Sequence, residues 1–310
     1  MIKIAVQTGG PEEEIGIDST YRIIKEAGFD AVDANLDHLL GYETILGKKY
    51  KDKYDVYLPG LSEKDILEYF RPWGEASKKY DLKNYQAHAP FPSLLTGEDD
   101  PEYNDFLITM LEKTIMGCAS IDCQNLIIHP FCRDYDHQMS HEEEWEINID
   151  RYSRLIPAAK KYGVVINLEN MFFDHNGKIY GTVCNDGMMA AKYVDTLNQL
   201  AGEKCFGFCL DTGHALLASK DIRQFMNDLG DRLTCFHVHD NDGVYDLHRQ
   251  PYTGKMDWDR FILGLKDIHF DKTMSFETFN AWRSVPRELG PAMLQYIAKV
   301  GRMFAEKASE

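Results

Sequence analysis

The chain lacks any run approaching the roughly 18 uncharged apolar residues of a membrane span, so no segment reads as a transmembrane helix. Its start, MIKIAVQTGG, lacks a basic stretch followed by a long apolar run, which argues against a secretory signal. Positive charge is scarce. Only 34 Lys and Arg stand against 50 Asp and Glu, and the resulting −16 repels phosphate backbones. The 7 cysteines are an odd number at irregular spacing, which does not suggest a disulfide framework. Cys205, Cys209 and Cys235 fall in apolar, strand-like runs, where a reduced thiol serves as a small hydrophobe. The first turn, QTGGPEEE, has neither the dinucleotide-binding nor the P-loop glycine pattern. Internal repeats, low-complexity tracts and Pro/Ser-rich linkers are also missing. The expectation is a cytoplasmic, reduced, soluble protein with no nucleic-acid or membrane partner; a homo-oligomer stays open.

What is present is ample apolar material, 44% of residues, in a repeating order. Strand-like runs occur at Ile2–Val6, Ala31–Ala34, Asn84–His88, Asn125–His129, Val164–Glu169, Phe206–Asp211, Leu233–His239 and Thr273–Glu277. Between and after them lie helical patterns, clearest at Ser62–Tyr80, Glu102–Ser120, Glu142–Lys161, Gly187–Leu200, Trp258–Leu265 and Pro291–Phe304. Such alternation through the chain predicts an α/β fold, a (β/α)8 TIM barrel forming one domain over residues 1–310. Residues 36–61, with the basic run GKKYKDK, read as an inserted loop.

The later strands end in side chains suited to metals. The third closes on His88, the fourth on His129 and the fifth on Glu169. The sixth leads into LDTGH, with Asp211 and His214; the seventh runs into FHVHDND, with His237 and His239; the eighth closes on Glu277. In a barrel all strand C-termini meet on one face, where ligands bind. Carboxylates and imidazoles gathered there are the donor set of a divalent cation.

The segments NLEN, CLDTGHA, HVHDNDGVYDLH, GKMDW and FET together resemble the xylose isomerase-like barrel superfamily, which includes ketose 3-epimerases, inosose dehydratases and the endonuclease IV group. The resemblance implies one divalent ion, Mn2+ foremost with Zn2+, Co2+ or Mg2+ as alternatives, on Glu169, Asp211, His237 and Glu277. It also implies that Glu169 and Glu277 are the acid/base pair acting beside the carbonyl of a small carbohydrate or polyol. In the endonuclease-like members up to three Zn2+ use further ligands, which here fall on His88, His129, His214, Asp246 and His248. The activity implied is that of a sugar isomerase or epimerase. A related lyase, of the inosose dehydratase or C-glycoside deglycosidase type, is an alternative, and a zinc-dependent abasic-site endonuclease is a more distant one.

Secondary candidates follow from position. His239 lies two residues from His237, on the same strand face, and reads equally as a substrate or supporting contact and as a core histidine hydrogen-bonded to a neighbour. Arg249, after His248 in a loop, reads equally as a holder of a hydroxyl or phosphate and as a solvated surface arginine. Phe91, Phe131 and Phe172 follow ligand positions and could wall a sugar face or simply pack. Asp240, Asn241 and Asp242 read as turn organisers. One departure stands out: many relatives carry Pro-Gly-x-Gly where this chain has Pro251-Tyr252-Thr253-Gly254, a bulkier turn.

Overall fold

A computed structural model describes residues 1–36, 62–90, 101–132, 139–175 and 177–310. Most of the predicted inserted loop therefore lies outside the described residues, as does Phe91. The described chain runs β1 (Lys3–Gln7), α1 (Pro11–Ala27), β2 (Ala31–Asn35), α2 (Glu63–Tyr80), β3 (Lys83–His88), α3 (Pro101–Ser120) and β4 (Asn125–Ile127). It continues through α4 (His141–Arg154), α5 (Ile156–Tyr162), β5 (Val165–Glu169), β6 (Phe172–His175), β7 (Lys178–Gly181) and α6 (Gly187–Ala201). The last third holds β8 (Phe206–Asp211), α7 (Thr212–Leu217), α8 (Ile222–Leu229), β9 (Leu233–His237), α9 (Trp258–Asp267), β10 (Thr273–Phe276), α10 (Phe279–Arg283) and α11 (Gly290–Ser309).

Eight strands pair in parallel in the order β10-β1-β2-β3-β4-β5-β8-β9. Beyond β9, Val238 N donates to Ser275 O at 2.8 Å and Glu277 N donates to Val238 O at 3.1 Å, drawing the two ends of the sheet together. This is the expected (β/α)8 barrel. Among the described residues no helix is long and apolar enough to cross a membrane.

Strand alternation divides the buried residues into two compartments. In β5, Ile166 and Leu168 join the large apolar core, whereas Asn167 and Glu169 are the alternate, polar positions. A second, small cluster of Ile127, Cys209 and Cys235, with Tyr85 against it, is separate from that core. Two register shifts help shape it: Tyr85 is the extra residue of β3 and Thr234 the extra residue of β9. Tyr85 Oη donates to Thr234 O at 2.9 Å, tying the two irregularities together.

Local signals explain the helix limits. Ser62 with Asp65 and Ser140 with Glu143 form capping boxes, and Gly28, Gly163 and Gly202 end helices in the left-handed conformation. The single helix expected over Glu142–Lys161 is instead two, broken at Leu155, because Pro157 has no N–H to continue the ladder. The β6–β7 hairpin was not anticipated.

Candidate metal centre

The C-terminal ends of the barrel strands bring four buried side chains together. Glu169 closes β5, Asp211 closes β8, His237 closes β9 and Glu277 follows β10; one donor atom from each lies within 4.8 Å of the others. His237 Nδ1 is 2.9 Å from Glu169 Oε1 and 3.6 Å from Glu277 Oε2. Gln7, the last residue of β1, donates from Nε2 to Glu277 Oε1 at 2.6 Å. The Asp211 carboxylate caps α7 by accepting from His214 N at 2.6 Å, and it faces His239 Nε2 at 3.0 Å from both oxygens. Gly213 is obligatory beside it, since a Cβ there would stand 1.9 Å from His239 Cε1.

Two further groups flank this one. His88, His129 and Glu169 form the first; His239, Asp246 and His248 form the second. His88 Nδ1 faces Ala89 O at 2.7 Å, so donation there leaves its Nε2 as a lone pair, 2.9 Å from His129 Nε2. His214 differs: Nδ1 lies 2.9 Å from Asn170 O, and Nε2 faces a carboxylate oxygen, Asp246 Oδ2, at 3.4 Å. His248 Nε2 approaches the same Asp246 oxygen at 2.8 Å. His248 holds this position with φ of 43°, a left-handed backbone unusual for a non-glycine residue.

The residues fit a divalent cation. Glu169 Oε2, Asp246 Oδ1 and His248 Nδ1 are buried yet complete no hydrogen bond of good geometry. Buried polar atoms left in that state are rare unless something else satisfies them. Charge points the same way. Burial alone would lower His214, yet Asp211 and Asp246 push it up to about 10, and His237 and His248 are likewise held well above the usual imidazole range. Burial alone would raise Glu169 and Glu277, yet the surrounding imidazoles hold both below the usual carboxylate range. In the metal-free chain protons on the imidazoles thus stand where a cation would neutralise the carboxylates.

That exchange predicts a pH dependence. A nitrogen must lose its proton to ligate, and His237 is held well above the usual imidazole range, so ion uptake should release a proton and affinity should climb with pH from neutral upward. Calorimetry of Zn2+ binding in buffers of different ionisation enthalpy would measure the release; uptake without it would contradict the charge account. For the metal-free fold the sign is opposite. A raised His214 contributes stability that is fully present below its unfolded value and is lost as pH rises through about 10.

The surrounding candidates divide. Asp240 is a turn organiser: its carboxylate accepts from the backbone N–H groups of Thr253, Gly254 and Met256 and from Trp258 Nε1, at 3.0–3.2 Å. It thereby ties down the segment after β9 that carries Asp246 and His248. Gly254 fits only as glycine, because a Cβ would lie 2.1 Å from Asn241 O. Arg249 pairs through its backbone with Asp240, and its side chain is exposed, apart from the three groups. Phe131 is buried against Tyr152, which is packing; the Phe172 ring lies 5.0 Å from that of His214, beside the site. Tyr252 has φ of 69°, the conformation the glycine of relatives would supply, and its ring faces Trp258 and Phe304.

The sequence profile of the xylose isomerase-like TIM barrel family matches residues 21–299. The chain belongs to that family. An uncharacterized protein from Methanocaldococcus jannaschii is 24% identical to this chain over 238 residues, which are 75% of this chain and 76% of the relative. Among solved structures, a D-psicose 3-epimerase determined in the presence of D-fructose superposes with a TM-score of 0.70 at 13% identity, covering 98% of this chain and 99% of that one. The IolI protein with a bound zinc atom superposes with a TM-score of 0.67 at 18% identity, covering 96% of each chain. At such identities these two likenesses speak for the barrel.

Gln7 and Asp33 were not singled out by sequence reasoning. Gln7 ends KIAVQ and Asp33 sits mid-strand in AVDAN; each is a buried polar residue directly after an apolar pair, and that conflict is the signal that marks them.

Proposed function

We infer that this chain is a divalent-metal-dependent isomerase or epimerase of a small sugar or polyol. The observation that carries the reading is the convergence of Glu169, Asp211, His237 and Glu277 at the ligand-binding end of the barrel. The epimerase and zinc-containing neighbours support it as members of the same fold. A divalent ion held by these four residues supplies polarisation of the substrate carbonyl and offsets the negative charge that develops beside it. The chain's own task is to move a proton. Glu169 and Glu277 come from β5 and the end of β10, and both carboxyls are ionised at neutral pH, so either can take a proton from the carbon next to the carbonyl. The other then returns one. Gln7 fixes the Glu277 carboxylate through one oxygen, leaving the second to face His237 and His248. The same pair serves the lyase alternative, where a proton is lost beside a departing hydroxyl.

The test is a panel of ketoses, keto-sugars and inososes incubated in heavy water with Mn2+- or Zn2+-loaded protein. Deuterium should enter next to the carbonyl and epimer or isomer should form, and both should cease after chelation. Absence of exchange from every substrate would refute the reading.

A second reading is favoured by one observation, the two flanking groups, which add His88, His129, Asp246 and His248 of the ligand set of a three-zinc phosphodiesterase, with His239 rather than His214 beside the last two. Against it stands the −16 charge, which opposes a DNA partner. Sub-micromolar binding and cleavage of abasic duplex DNA at physiological salt would reverse the ranking.

A further inference from the structure

We propose that Asp33 is a positioning residue for the central group: it fixes the tautomer of His237 and so presents Nδ1 to the ion. The inference rests on the metal reading above and deepens it. Asp33 lies in β2 and is fully buried. One of its oxygens, Oδ2, gathers three groups from across the barrel. Gln86 Nε2 donates to it at 2.7 Å and Ser275 Oγ donates at 3.1 Å, while His237 Nε2 lies 3.3 Å away without a hydrogen bond of good geometry.

Counting protons sets the direction of each contact. The Gln86 amide nitrogen carries two, one given to Asp33 and the other to Phe236 O at 3.0 Å. The Ser275 hydroxyl has one, and it also goes to Asp33. Both neighbours therefore donate, and Oδ2 serves as an acceptor. A bare Nε2 facing that oxygen would set lone pair against lone pair, so His237 carries hydrogen on Nε2. The lone pair of the neutral ring then sits on Nδ1, the nitrogen 2.9 Å from Glu169 Oε1 and 3.6 Å from Glu277 Oε2. In the metal-free chain a proton on Nδ1 is shared with Glu169 Oε1, and it is this nitrogen, not Nε2, that gives up its proton to face an ion.

The choice of an acid rather than an amide at position 33 needs the imidazole to explain it. An amide carbonyl would satisfy Gln86 and Ser275 equally well, and the second Asp33 oxygen, Oδ1, is buried without a hydrogen bond. A carboxylate on the far nitrogen of a ligating histidine orients the ring and makes it a more basic ligand.

The experiment combines Zn2+ calorimetry with 15N NMR of histidine-labelled protein. Wild-type protein loaded with Zn2+ should show His237 protonated on Nε2, with Nδ1 shifted by the metal. Asp33→Asn should weaken Zn2+ binding roughly 10–100-fold. Ser275→Ala removes one hydrogen bond from the same carboxylate but leaves its charge, and it should bind Zn2+ nearly as wild type does. A proton on Nδ1 in the Zn2+-loaded wild type, with Nε2 bare, overturns the proposal without recourse to any variant. Unchanged affinity in Asp33→Asn, or equal loss in Ser275→Ala, also overturns it while leaving the metal reading intact. Failure of the wild type to take up Zn2+ sinks both.

Discussion

Glu169→Gln and Glu277→Gln should each cut turnover by roughly 10²–10⁴-fold, the usual worth of general acid–base catalysis. Glutamine keeps an oxygen able to ligate but cannot accept a proton at neutral pH, so bound metal should persist in good part. The two variants should separate in a partial reaction. The one that retains the abstracting carboxylate can still exchange substrate hydrogen with solvent; the other cannot. Their surroundings differ as well. Glu277 is braced by Gln7 at 2.6 Å, whereas Glu169 stands between His237 at 2.9 Å and His129 at 3.3 Å. Turnover, bound metal and deuterium incorporation measured on both variants decide the matter. Near-normal turnover in either, with metal retained, would reduce that glutamate to a ligand.

Asp211→Ala should remove the central ion and also weaken the metal-free fold. The fully buried carboxylate caps α7 through His214 N, and it is the partner of His239 Nε2. Loss of an N-cap costs about 1 kcal/mol. A buried imidazole N–H left without a partner costs about 1–3 kcal/mol more. Together these predict a fall of about 2–4 kcal/mol in unfolding free energy, read by urea denaturation of chelator-treated protein. A fall below about 0.5 kcal/mol, the usual range for surface substitutions, would show that the surroundings relax around the gap and that Asp211 is a ligand alone.

Much of the barrel was legible because short apolar runs and amphipathic segments alternate, and because the polar residue ending each later strand marks the same face. Glu169, Asp211, His237 and Glu277 could be picked out in the sequence, and the fold brings them together. Other features depend on encounters between distant positions. Gln7 meets Glu277 across 270 residues and Asp33 meets Ser275 across 242, so neither pairing has a local pattern to betray it. The helix break at Leu155 was readable in Pro157, and the β6–β7 hairpin in Asn176-Gly177, a strong hairpin turn signal. Helical spacing runs through the first, and the regular alternation of eight longer strands with helices masks the second. The extra residues Tyr85 and Thr234 were not readable, since strand register is settled by both partners at once.

The central claim is that one divalent ion is held at the barrel mouth by four named side chains. Anomalous diffraction from crystals grown with Mn2+ or Zn2+ tests it most directly. The account predicts a strong peak within bonding distance of Glu169, Asp211, His237 and Glu277, whatever the occupancy of the flanking groups. Metal-supplied crystals with two or more of these side chains turned away from any peak would contradict it.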